Sequence, residues 1–198
     1  MESNMLLNTQ NIALKLFLYL ILVGQLSACV PVVVGGAAAG GAMVSDRRTS
    51  GIYVEDENIE LKALKMIETS IGSTVHINVT SYNRNVLLTG EAPSAEVKSK
   101  AETMIKNITN IRGITNEIVV GEKSTISSRS NDAYLTTKVK TQFVTENKFS
   151  ANFVKVVTEN NVVYLLGIVT KPEADAAAEI ASNTNGVSKV VKLFEYQP

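Results

Sequence analysis

Cys29 is the only cysteine in the 198-residue chain, and the residues ahead of it bound what its thiol could do. It follows Leu26-Ser27-Ala28 directly, at the close of an apolar segment centred on residues 16–23. A lone thiol in an exported chain has no partner in its own molecule, so it is either a plain buried thiol or a site of covalent modification. His76 is the sole histidine. It begins a candidate strand without a neighbouring cysteine or a second histidine to complete a zinc set. A Ser-His-Asp triad would need this same residue, and no nucleophile motif surrounds any serine. His76 therefore reads as a surface or strand-edge residue. Residues 35–41 are glycine-rich but lack the Lys-Ser/Thr ending of a phosphate loop. Glu96 and Glu173 read as helix-capping groups rather than an acid/base pair. The expectation is a non-enzyme with no metal and no cofactor.

The apolar run is too short for a membrane span, which needs roughly 20 residues, but suits the core of a secretory signal. Lys15 is its only positive flank and Glu2 opposes it; initiation at Met5 would remove the conflict. A branched residue, two small residues and Cys29 resemble the lipobox of bacterial lipoproteins. The resemblance implies that the thiol takes a diacylglyceryl group, that the chain is cut before Cys29, and that the new amine is acylated, palmitate being a label for it. Val30, where an Asp would hold such a protein at the inner membrane, implies the outer membrane. Residues 1–28 are then signal peptide and 29–53 a lipidated flexible tether. Its Gly/Ala tract reads as a spacer, or as a stretch lying against lipid or a barrel protein near the anchor. Order is expected to begin near Val54.

Lysine plus arginine and aspartate plus glutamate balance at 19 each, which excludes the basic excess of a nucleic-acid binder. Tryptophan is absent and aromatics make up 6% of the chain, so the core must be built from aliphatic residues. Beyond the tether, one pattern of residues is written twice. In residues 56–71, Leu61, Leu64 and the Ile59/Ala63/Ile67 stripe recur at helical spacing. Ile77 and Val79, a turn at Tyr82-Asn83-Arg84-Asn85, then Val86 and Leu88 make a hairpin ending at Gly90. A Ser94-capped helix carries Val97, Ala101, Met104, Ile105 and Ile108 on one face, and residues 114–120 form a last strand. A shift of 77 turns Ile77, Val79, Val86, Leu88 and Gly90 into Val154, Val156, Val163, Leu165 and Gly167. A shift of 76 turns Ile59, Ala63 and Ile67 into Leu135, Val139 and Phe143. Residues 122–131 read as a Ser-rich linker between domains at 54–121 and 132–198. The fold expected is α+β: two tandem αββαβ units, each a three-stranded mixed sheet with two helices on one face. The other face can stay wet, as Asn78, Thr80 and Asn85 suggest. Two such small units should pack on one another.

The order of elements, the glycines at 90 and 167, and Gly113-Ile114 and Gly186-Val187 before the last strands resemble the BON domain. So do Ile77-Asn78-Val79-Thr80, Val86-Leu87-Leu88, Ser130-Asn131-Asp132, Thr136-Thr137-Lys138-Val139 and Val156-Val157-Thr158-Glu159-Asn160. With the lipobox and tether, the whole resembles the dual-BON outer-membrane lipoproteins. That resemblance implies a periplasm-facing, lipid-anchored protein that binds anionic phospholipid through the first helix of its second BON domain. It also implies support of envelope integrity and division-site processes. The alternative is a scaffold for outer-membrane protein assembly or for regulators of cell-wall hydrolases. In residues 132–148, the face opposite Leu135, Val139 and Phe143 carries Tyr134, Thr137, Lys138, Thr141, Thr145 and Lys148, with Lys140 and Val144 toward one flank. From the residues alone this is a solvated surface or a headgroup surface free of acids. The matching helix of the first unit carries Glu55, Asp56, Glu57, Glu60 and Glu68 against Lys62 and Lys65, and should be repelled by anionic lipid.

Overall fold

Thr49 opens the first helix: its hydroxyl accepts the Ile52 N–H, satisfying one of the donors a helix start leaves free. The computed structural model describes residues 46–72 and 75–197; residues 1–45, with the signal peptide, Cys29 and most of the tether, lie outside the described residues. Helix α1 is Ser50–Ser70, followed by strands β1 (His76–Tyr82) and β2 (Asn85–Ala92), helix α2 (Ala95–Ile105), and strands β3 (Gly113–Asn116) and β4 (Val119–Val120). The second unit repeats the order with α3 (Ile126–Glu146), β5 (Val154–Glu159), β6 (Val162–Val169), α4 (Lys171–Asn183) and β7 (Lys189–Tyr196). In each unit the hairpin is antiparallel and the last strand adds parallel to its second arm. The fold is therefore the expected two-unit α+β arrangement, with mixed sheets of four and three strands.

Several boundaries differ from the sequence reading. The linker expected at 122–131 is mostly helix, because Thr125 caps α3 through the Ser128 N–H and the helix runs on from Ile126. Likewise α1 begins at Ser50, ahead of Val54. The first turns of α3 are polar, from Ser127 to Asn131, and in α1 the apolar rhythm between Ile52 and Ile59 is broken by the buried Asp56. The single strand expected at 114–120 is interrupted: Asn116 Oδ1 accepts the Ile118 N–H, and Ile118 is buried in the core between β3 and β4. Leu61 and Leu64, which recur at helical spacing beside the Ile59/Ala63/Ile67 stripe, are 65% and 41% exposed; the stripe itself reaches the core.

One buried carboxylate per unit ties helix to hairpin. Asp56 on α1 accepts the Asn83 and Arg84 N–H groups at 2.8 and 2.7 Å, and the Ser81 hydroxyl at 2.7 Å. Asp132 on α3 accepts the Asn160 and Asn161 N–H groups at 3.0 and 2.9 Å. In both turns the two residues have positive φ, 50° and 64° in the first and 51° and 62° in the second. This is the left-handed geometry of a two-residue hairpin loop, which leaves those donors pointing out of the ladder toward the carboxylate. At the far end of each hairpin the strands come close. A Cβ on Gly90 would lie 2.0 Å from the His76 carbonyl oxygen, and one on Gly167 would lie 2.5 Å from that of Phe153.

The sheet faces not covered by helices turn toward one another rather than wholly toward water. Tyr82 and Leu87 of the first sheet join Tyr164 and Leu166 of the second in a buried apolar cluster. The polar residues expected to be solvated bond across the junction: Asn78 donates to Glu159 at 2.8 Å, and Asn83 and Asn85 donate to Glu195 at 2.8 and 3.0 Å. Thr80 is itself buried. The expected packing of the two units is thus present, and it covers Thr80 and part of Asn85, while Asn78 stays exposed as expected of a wet face. Residues 46–48, expected in the tether, hold both units. Arg47 makes a two-pronged pair with Glu173 at 2.7 and 2.8 Å, donates to the Ile168 carbonyl at 2.9 Å and lies 3.8 Å over the Phe153 ring. Arg48 pairs with Asp56 at 2.8 Å and lies 4.0 Å over the Tyr82 ring.

These contacts make two outcomes measurable. Asp132→Ala strips a charged acceptor from two turn N–H groups and should cost about 3 kcal/mol, read as a fall in melting temperature of roughly 6–12 °C. The Arg47 guanidinium holds the Glu173 carboxyl below its ordinary value of 4.5. A depressed carboxyl stabilises the fold above that value and loses the contribution as pH falls through its folded pKa. The melting-temperature gap between the parent and Arg47→Ala should therefore be full at neutral pH and narrow below pH 4.5, leaving only the ring and carbonyl contacts.

Candidate functional site

The rotation of α3 about its axis is fixed from inside. Asp132, Leu135, Val139 and Phe143 are all buried, spaced so that they fall on one side of the helix. The opposite side must face outward, and Tyr134 and Val144 are 61% and 67% exposed there. Thr137, Thr141 and Thr145 each donate their hydroxyl to the carbonyl four residues earlier, at 3.0, 2.9 and 2.9 Å. With the hydroxyls committed to backbone, these residues offer methyl groups to the exterior. The surface is therefore less polar than its composition.

The cations flank this surface. Lys138 is half-buried; it donates to the Asn185 carbonyl at 3.0 Å and its Nζ lies 5.9 Å from the Tyr134 ring centre. Lys140 stands on the opposite edge, where it and Val144 border an open cleft of about 450 Å³ shared with Asp46, Tyr53 and Lys155. The structure therefore puts Tyr134, Thr137, Thr141, Val144 and Thr145 in one exposed field, with Lys138 and Lys140 at its two margins. Lys148 does not belong with them. It lies beyond the last residue of α3, where Glu146 and Glu179 sit 3.2 and 3.5 Å from its Nζ. Its pKa is raised, first by the bond to Glu146 and next by the charge of Glu179. The expectation of an acid-free surface with three lysines is corrected to two, because the helix ends before position 148 and the turn after it lies beside α4.

Two further residues of this face lie in the stretch expected to be linker. Ile126, 78% exposed, lines up along the helix with Ala133, Thr137 and Val144, and Arg129 falls on the same side as Lys140. The Thr125 cap is the sequence signal that could disclose them. The matching helix α1 is less acidic outward than its composition, since Asp56 is buried and Glu60 bonds Lys155 at 2.8 Å and the Ser81 N–H at 2.7 Å. Glu57 and Glu68 stay exposed, beside Val54, Leu61 and Leu64. Among the described residues no helix is long and apolar enough to cross a membrane.

Two helix-tethered hairpins, each completed by a parallel third strand, define a tandem α+β module. The chain belongs to the BON-domain family, whose model matches residues 55–122 and 131–198. It is 39% identical over 173 residues to the outer membrane lipoprotein DolP of Haemophilus influenzae, covering 86% of this chain and 90% of that one. It is 36% identical over 153 residues to the 21 kDa hemolysin of Actinobacillus pleuropneumoniae, covering 76% and 79%.

Proposed function

We propose that this is an outer-membrane lipoprotein, held by acyl groups on Cys29 at the periplasmic face. In this reading it lays the outer surface of α3 on anionic phospholipid and serves envelope integrity by binding rather than by catalysis. The name of the Haemophilus relative supports the location. The observation that carries the lipid reading is the make-up of the α3 surface: an amphipathic aromatic, an exposed valine and threonine methyls, with a cationic margin on each side. A polar-tipped ring suits the headgroup boundary, and lysines beside it meet phosphate. Each such lysine contributes about 1 kcal/mol at an anionic surface, so Lys138 and Lys140 together give about 2 kcal/mol. That is too little to hold a free protein, but enough to set orientation and headgroup preference once an anchor raises the local concentration.

A second reading, a docking surface for a protein of the outer-membrane assembly or cell-wall machinery, is favoured by Val54, Leu61 and Leu64 exposed beside Glu57 on α1. One experiment separates the two. The fragment 45–198, lacking the anchor, is sedimented with phosphatidylglycerol or phosphatidylcholine vesicles. The lipid reading expects preference for phosphatidylglycerol. Lys138→Glu, which exchanges one charge for its opposite, should weaken binding by about 2 kcal/mol, roughly thirtyfold. Tyr134→Glu should weaken it as well. Unchanged binding by both variants removes α3 from the site, whereas loss of a protein cross-link on Leu61→Arg alone favours the second reading.

A further inference from the structure

His76 opens the edge strand β1, as expected, but its side chain does not stand in solvent. Its side chain is 15% exposed and sits between two nearly buried carboxylates, Glu91 from the same sheet and Glu159 from the other unit. Nδ1 of His76 lies 3.0 Å from Glu91 Oε2 and 3.8 Å from Glu159 Oε1, and the three atoms all fall within 4.8 Å of one another. Each carboxylate has its other oxygen held from behind. Asn160 donates to Glu91 Oε1 at 2.6 Å, and Asn78 donates to Glu159 Oε2 at 2.8 Å. Glu91 Oε2 also accepts the Ser124 N–H at 3.1 Å, and the Ser124 hydroxyl is 3.3 Å from His76 Nδ1.

One atom of this arrangement has no partner. Glu159 Oε1 is buried without any hydrogen bond, although the residue is only 5% exposed and the oxygen faces the imidazole. A buried carboxylate oxygen left bare beside a second carboxylate is costly unless positive charge stands between them. Burial and the neighbouring acids Glu91 and Asp132 push the Glu159 carboxyl up, against the bond from Asn78 and the pull of His76. With sides of 3.0 and 3.8 Å and a third of at most 4.8 Å, a point lies within about 2.4 Å of all three atoms, close to the roughly 2.0–2.2 Å of zinc bonds to nitrogen and oxygen. The two asparagines occupy the places of the supporting groups that orient metal-binding carboxylates. A cleft of about 300 Å³ bordered by His76 and Glu159 supplies an entry path, with Arg129 and Asp132 also on its wall.

We infer that His76, Glu91 and Glu159 form a binding site for a divalent cation with zinc-like ligand preference, and that the cation joins the two BON domains. One imidazole and two carboxylates are borderline and hard donors, which suit zinc or manganese better than a thiol-seeking ion. The bound charge of +2 would match the two carboxylates, and the remaining positions face the cleft, where water can complete the shell. Because its ligands come from both domains, the ion would stabilise their packing by mass action.

The test uses the full chain in detergent, stripped with a chelator and carrying no histidine tag. Equilibrium dialysis against zinc and, separately, manganese should show one equivalent bound, and the melting temperature should rise with zinc. Glu159→Gln keeps the acceptor for Asn78 but removes the bare charge. It should lose the bound equivalent and the zinc-dependent shift while melting in chelator no lower than the parent. Asn78→Ala should weaken binding by roughly 10–100-fold, as a supporting residue does. A parent that binds neither metal, or an equivalent retained by a His76→Ala, Glu159→Gln double variant, overturns the inference.

Discussion

A carboxylate buried beneath a tight turn is the contact on which both halves of this protein rest. A two-residue hairpin loop with left-handed backbone turns two N–H groups away from the sheet, and something must accept them. Asp56 and Asp132 do so from the helix that precedes each hairpin. The bond fixes more than the turn. It sets the rotation of the helix, and with it which side chains form the core and which are left outside. The exposed position of Tyr134 is thus a consequence of where Asp132 points.

The junction between the domains answers a related constraint. Each sheet has helices on one face only, and a domain of this size cannot leave the other face bare without losing much of its possible burial. Here the two spare faces cover one another, with Tyr82, Leu87, Tyr164 and Leu166 at the centre and charged or amide groups around them. Glu195 gathers Asn83, Asn85 and Arg112 at one margin, and Glu91 and Glu159 gather Asn160 and Asn78 at another. Polar groups at such a seam add little to affinity but fix its register.

The repeat is legible in sequence because its markers are backbone requirements. Gly90 and Gly167 sit where a side chain would strike a carbonyl, and the alternating valines and leucines follow from the pleat. Helix starts are not legible, since Thr125 introduces polar turns before any apolar rhythm begins and Asp56 interrupts the rhythm that starts at Ile52. Leu61 and Leu64 show the opposite failure: helical spacing admits a wide stripe, and only packing says how much of it is covered. Alternation also cannot distinguish water from a facing domain, so Thr80 looks as wet in sequence as the exposed Asn78, yet is buried. His76 and Glu91 face one another across the hairpin register, but Glu159 arrives from the other domain. Lys148 shares a spacing with Lys138 and Lys140, yet the helix end that separates them, set by Asn147 in a left-handed conformation, is weakly marked in sequence.

Neighbouring arginines at 47 and 48 give the folded part an attachment point with two roots, one in each domain. Tension entering from the N-terminal side meets the Arg47 contact first and the Arg48 contact next. A pull entering at residue 46 thus bears on a carboxylate on α4 and then on one on α1, instead of peeling the outermost element from a single domain. Detaching the chain from the folded part therefore requires breaking charge-assisted bonds to both domains.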